Sequence, residues 1–259
     1  MSQSNVPPCP ASAFGTITVA ESGDDIWNTN EHMKAAFASG AQSCCATYSA
    51  EVCDEVVNDD IVLDAHWGAS MVARYFKDIH NRFGYDDAGA ELLSYVHHGL
   101  SYENASWNGM IMKYGDGAYQ DGNNPAAMFS PLVSLDVCAH EIGHAICTST
   151  SDLVFVGESG AMNEGLSDIW AACIEGYVQD SVDTSSEYVL WSIGEIIDER
   201  DGGLYNEPGA RAIRWMDHPP AENNPDTYGA GTWWQDPDCA SPNVANDFCG
   251  VHFNSGGTQ

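Results

Sequence analysis

Two short patterns of histidine and acidic residues constrain this chain more than any other feature. His140-Glu141-Ile142-Gly143-His144 sets two imidazoles four residues apart, which on an α-helix is one face, so both can reach a single ion. Leu135, Val137, Ile142, Ala145 and Ile146 surround the pattern and predict a core-packed helix from about 134 to 148. The second pattern, Asn163-Glu164-Gly165-Leu166-Ser167-Asp168, lies beside an apolar run of Ile169, Trp170, Ala171, Ala172 and Ile174. That run predicts a second helix over 161–178, with Glu164 and Asp168 on one face. His140, His144 and Glu164 then form the ligand set of an open zinc site, with a fourth position left for water. Asp168 is suited to accept the spare N–H of a ligating histidine and fix its tautomer. A solvated acidic face is the competing reading of the second helix, and its apolar composition argues against it.

Elsewhere the pattern is coarser. Residues 1 to about 60 hold short β-prone runs, such as 14–19, among Gly, Asn and Ser, which reads as a strand-rich opening. Ile61, Ala65, Met71, Val72, Tyr75, Phe76 and Ile79 recur at helical steps and predict an amphipathic helix over 61–83. Residues 92–132 return to strands and turns, and the pattern turns irregular after Asp180. Strands first and helices later predict an α+β fold. The expected division is a β-rich N-terminal lobe of residues 1–153, ending in the zinc-binding helix, and a mostly helical, partial lobe of residues 154–259, with the cleft between them.

Charge and cysteine content narrow the partners. Thirty-eight Asp and Glu against eight Lys and Arg give a net charge of −30, which argues against nucleic acid or an anionic membrane as a partner. The acidity suits either solubility or adaptation to salt and divalent cations. No apolar run of about 18 residues exists, so no membrane span is expected. Met1 to Pro10 has neither a basic n-region nor an apolar core, so no signal peptide is expected there. Nine cysteines suit an oxidising compartment, and a secreted or extracellular protein is the expectation. Cys239 and Cys249 flank a loop and Cys53 can reach Cys44 or Cys45, while Cys138, Cys147 and Cys173 fall in predicted helices as buried thiols.

At the level of motifs the chain resembles the thermolysin family of zinc endopeptidases. The likeness rests on His-Glu-x-x-His followed by Asn-Glu-x-x-x-Asp, on 64–66, 76–82, 104–109 and 158–161, and on Gly250-Val251-His252-Phe253-Asn254-Ser255-Gly256 near the end. The resemblance implies hydrolysis of peptide bonds before bulky apolar residues, with Glu141 as general base and peptides or proteins as substrates. It further implies that His252 stabilises the oxyanion, oriented by Asp247, and that Asn163 and Asp168 support the ligands. Asn104 and Ala105 look like binders of substrate backbone. Arg214 looks like the arginine that grips a substrate carbonyl, a plain ion pair being the alternative. Phe129, Leu132, Val137 and Ile213 match the lining of an apolar pocket. Asp136, Glu175 and Glu195 match family calcium ligands, so calcium is a second expected metal.

The sequence departs from the family in three places. Phe155 stands where the family has a tyrosine that helps hold the oxyanion. Leu190 and Ser192 replace expected acids, which predicts at most one calcium near the zinc helix. The sequence ends seven residues after His252, where the resemblance implies further helices, and it carries no counterpart of the family's pro-segment. Two other readings are kept. One is a zinc aminopeptidase, disfavoured by the 20-position step from His144 to Glu164 and by a missing Gly-x-Met-Glu-Asn strand. The other is a truncated, non-catalytic fold that binds zinc and peptide without turnover.

Overall fold

Two antiparallel helices organise the molecule, and both predicted helices are present but longer than their apolar patterns. The computed structural model describes residues 17–21 (as backbone), 60–119, 127–184, 188–200, 211–234, 239 and 241–255. Helix α1 spans Asp60–His80 and buries Val62, Ala65, Ala69, Val72 and Phe76 along one stripe, the period that the sequence displays. It stops before the predicted end because Asn81 turns left-handed at φ 51°, a conformation asparagine tolerates as a helix terminator. Helix α2 spans Leu135–Thr150 and α3 spans Gly157–Ser181. The start of α3 lies four residues before the predicted 161, hidden by two glycines in its first turn.

A four-stranded sheet of order β1-β2-β4-β3 lies on the N-terminal side, formed by Ile17–Glu21, Leu92–Val96, Ala105–Trp107 and Met112–Tyr114 in chain order. β1 and β2 pair in parallel from Ile17↔Leu92 to Glu21↔Val96, β2 and β4 also run parallel, and β3 and β4 are antiparallel. The predicted strand at 14–19 therefore lies two to three residues further on. Among the described residues β3 is the edge strand, with one side of its backbone free of sheet partners. Apolar residues from α1, the sheet and α2 form one core, with Val62, Val96, Met112, Tyr114, Cys138 and Ile142 almost wholly buried. Thus an α+β architecture is present, with a small sheet on one side of α2 and helices on the other.

α2 and α3 meet closely because Gly143 has no side chain. A Cβ there would lie 3.0 Å from Ser167 Cα, so a larger residue would push the helices apart. Beyond α3 the chain is irregular, as its sequence predicts. Ser192–Ile193 (β5) pairs with Arg214–Trp215 (β6), and a kinked segment α4, Asp247–Asn254, non-helical in its first half, returns to α3. Cys239 and Cys249 form a disulfide, while Cys138 and Cys147 are buried free thiols and Cys173 is a partly buried one. Cys44, Cys45 and Cys53 lie outside the described residues. Among those described, no helix is long and apolar enough to cross a membrane.

Candidate metal centre and cleft

The antiparallel pairing of α2 and α3 sets their polar residues opposite one another in a ladder. His144 Nδ1–H donates to Asn163 Oδ1 at 2.7 Å, and His140 Nδ1–H donates to Asp168 Oδ1 at 2.7 Å. With both Nδ1 atoms acting as donors, the Nε2 lone pairs are left for a cation. They are 3.0 Å apart, and Glu164 Oε2 lies 3.2 Å from His140 Nε2 while its Oε1 lies 3.4 Å from His144 Nε2. Asp168 is itself held by Arg214, whose Nε and one terminal nitrogen each donate to it at 2.7 Å. Ser167, absent from the predicted site, supports His144 from below, its Oγ 3.2 Å from Nδ1.

Electrostatics shows that this place attracts positive charge. Burial opposes a proton on His140, yet its hydrogen bonds to Asp168 and Glu164 raise its pKa to about 10. Burial likewise opposes ionising Glu164 and Asp168, but the neighbouring histidines and, for Asp168, Arg214 hold both below the usual carboxylate range. Three convergent donors with supported Nδ1 atoms, and a Glu164 Oε1 that accepts no hydrogen bond among the described residues, fit Zn²⁺.

The site opens into a cleft of about 450 Å³ lined on one wall by β3 and on the other by α3 and α4. Glu141 is nearly buried in it, raised in pKa first by that burial. The Trp107 backbone on β3 hydrogen-bonds its carboxylate, and Oε2 has no hydrogen-bond partner among the described residues. Trp107 falls in a stretch the resemblance marks, but the pairing of its N–H with Glu141 depends on the sheet's distance from α2. Asn104 and Ala105 lie on the same wall, and Phe129, Leu132, Val137 and Ile213 line the floor together with Ile193. Ile193 went unpredicted, because Val189, Leu190, Trp191, Ile196 and Ile197 around it are also apolar and no period singles it out. Arg214 lines the cleft and forms the ion pair with Asp168 that the sequence offers as one of its two readings.

His252 enters from the opposite side on α4. Its Nε2 lies 3.3 Å from Glu164 Oε1, and its Nδ1–H and backbone N–H both donate to Asp247, the latter at 2.7 Å. Burial works against a charge on His252, but Glu164 and then Asp247 outweigh it and raise its pKa. Phe155 does stand in this part of the cleft, its ring 5.9 Å from His144 and 5.8 Å from His252. It therefore presents an apolar edge where a tyrosine would present a hydroxyl.

A second cluster occupies the far end of the same helices. Ligand oxygens of Asp136, Glu175 and Glu195 lie within 4.8 Å of one another. Asp136 accepts from the N–H groups of Val137 and Gly194, and Ser192 Oγ donates to Glu195 at 3.1 Å. Neither Glu175 oxygen has a hydrogen-bond partner among the described residues. Burial and the facing acids push Glu175 up to about 10 and Glu195 up to about 7.

Comparison with known proteins agrees with this geometry. Residues 15–148 match the thermolysin metallopeptidase catalytic domain, and residues 151–258 match the alpha-helical domain of the same family. The chain is 37% identical over 204 residues to a bacillolysin of Bacillus caldolyticus, and 37% identical over 202 residues to a thermolysin of Alicyclobacillus acidocaldarius subsp. acidocaldarius. Each alignment covers 76% of this chain and 31% of the relative, so the chain spans about a third of the length of these curated relatives. The solved precursor of protealysin, a metalloproteinase from Serratia proteamaculans, superposes with a TM-score of 0.60 at 22% identity, covering 94% of this chain and 65% of that one. That likeness bears on the fold.

Proposed function

The chain belongs to the thermolysin metallopeptidase family, and from that premise we propose that it is a zinc-dependent endopeptidase cutting before bulky apolar residues. One observation carries the proposal. The three donors of His140, His144 and Glu164 converge in the same cleft that holds the unpaired carboxylate oxygen of Glu141. Zn²⁺ held by those donors would polarise the scissile carbonyl and make an attacking water more acidic. Glu141 takes the proton of that water and delivers it to the leaving nitrogen, a task favoured by the raised pKa of a buried carboxyl. His252 Nε2–H donates to the carbonyl oxygen as it gains charge, with Asp247 holding the other ring nitrogen.

The free edge of β3 at Asn104 and Ala105 suits pairing with an extended substrate backbone. Phe129, Leu132, Val137, Ile193 and Ile213 offer an apolar pocket for the side chain after the cut. Arg214 holds Asp168 and turns its remaining N–H groups to a substrate carbonyl. Asp136, Glu175 and Glu195 take one Ca²⁺, supported by the orphaned oxygens of Glu175 and by the all-oxygen donor set. Residues 1–153 and 154–259 form the two lobes, and the disulfide supports an extracellular setting. The non-catalytic reading is not favoured, because a pure binder has no need of Glu141 beside the ligands.

Cleavage of an internally quenched peptide with an apolar residue after the scissile bond tests the proposal. Turnover that a zinc chelator abolishes and Glu141→Ala removes is the expected result. Folded, zinc-loaded protein that leaves the peptide intact would refute it.

A further inference from the structure

His252 is carried on backbone that its residues would not choose alone. Asp247, Phe248, Cys249 and Gly250 are left-handed in succession, with φ of 49°, 47°, 73° and 80°. Glycine visits that region freely and aspartate tolerates it, but phenylalanine and cysteine are strained there. Such a run persists only where its surroundings over-determine it. Here the Phe248 N–H donates to the Asn243 carbonyl at 2.9 Å, and the Phe248 ring lies 5.9 Å from Phe155. Asn254 brackets the Trp234 backbone with contacts of 2.8 and 3.2 Å. Val251 is fully buried against Gly160, where a Cβ would come within 2.5 Å of it. Cys249 is buried and bonded covalently to Cys239. Of these holds, the disulfide alone acts directly on the most left-handed residue of the run that bears a side chain.

We infer that the Cys239–Cys249 disulfide is a positioning element of the active site. It keeps residues 247–250 left-handed, and so keeps the Asp247 carboxylate under the His252 ring and aims Nε2 at the cleft. Relaxation of Cys249 into an ordinary conformation would rotate Asp247 away from the N–H groups of His252 and Phe253, which donate to it at 2.7 and 3.2 Å. The inference rests on the role proposed above for His252. It holds that the cross-link stands in for a glycine at position 249.

Two variants of the full chain test this, Cys239→Ser and the double variant Cys239→Ser/Cys249→Gly. Zinc content and the amide protection of α2 report that each is folded and loaded. Cys239→Ser is expected to lower kcat about tenfold with KM changed less than about twofold, the signature of lost transition-state contacts. The His252 and Phe253 amides should exchange faster in the same variant. The double variant should recover most of both, because glycine accepts this backbone without a cross-link. Unchanged kcat and exchange in Cys239→Ser would overturn the inference. So would a loss that glycine at 249 fails to repair, which would make the disulfide a brace of the loop alone. Should the wild-type protein show no turnover, the endopeptidase reading falls, and the exchange pattern still decides the positioning role.

Discussion

Asp136 lies four positions before His140 on α2, and Glu175 eleven positions after Glu164 on α3, so one pair of helices presents two clusters of candidate ligands roughly one to three turns apart. In the first, both histidines have their outer nitrogens occupied by Asn163 and Asp168, and Asp168 is locked in turn by Arg214. In the second, two buried carboxylates and a partly buried one face each other, and Glu175 has no hydrogen-bond partner among the described residues. A single scaffold thus yields an imidazole-rich site suited to zinc and an all-oxygen site suited to a hard cation. The difference also bears on what each site contributes without its metal. The zinc cluster is held by neutral and ionic hydrogen bonds, whereas the acid cluster must keep protons or repel itself.

Glu141→Gln is expected to lower kcat by about 10²–10⁴ while one zinc per chain stays bound, since the general base goes and the ligands remain. Lost zinc in that variant, by metal analysis, would tie Glu141 to the cluster instead. Phe155→Tyr should raise kcat by up to about 10², because a hydroxyl beside His144 and His252 adds an oxyanion donor. Steady-state kinetics showing no gain would mean that the cleft already compensates. Asp168→Asn is expected to weaken zinc binding by about 10–100-fold, measured by competition with a chromogenic chelator, with calcium binding unchanged.

The smallest effect concerns pH. Glu175 and Glu195 have raised folded pKa values of about 10 and about 7, above the ordinary value of about 4.4 in an unfolded chain. Below that value both states are protonated and the cluster costs nothing. As pH rises from there to about 7, the unfolded chain releases protons that the folded chain keeps, so the cation-free protein loses stability. The further loss from Glu175 runs on toward pH 10. Thermal melts of chelator-treated protein should therefore fall between pH 5 and 7.5, by on the order of 5 °C from this cluster. Added Ca²⁺ should reverse the fall, and Glu175→Gln should flatten it. A Glu175→Gln protein with an unchanged pH slope would remove the cluster from the account.

Much of the zinc site is legible in sequence because its contacts are local and periodic. His140 with His144, and Glu164 with Asp168, are each one helical turn apart, so helix geometry alone groups them. The apolar stripes of α1 and α2 are readable for the same reason, and the chain's resemblance to its family carries Asp247 and His252. What escapes the pattern is set by distant approaches. β1 pairs with β2 across more than seventy residues, and the Trp107 contact with Glu141 depends on that sheet lying over α2. The left-handed run at 247–250 has no propensity signature, since phenylalanine and cysteine argue against it locally and tertiary contacts override them. Ile193 reaches the cleft through a two-residue strand too short to leave a period.

Metal analysis after dialysis tests whether the helix pair sorts two metals by donor type, as proposed. Metal-free protein would be dialysed against Zn²⁺ and Ca²⁺ together, alongside His144→Ala and Glu175→Gln. One zinc and one calcium are expected in the wild type, calcium alone in His144→Ala, and zinc alone in Glu175→Gln. Zinc retained by His144→Ala but lost from Glu175→Gln would instead place zinc among the carboxylates and refute sorting by donor type.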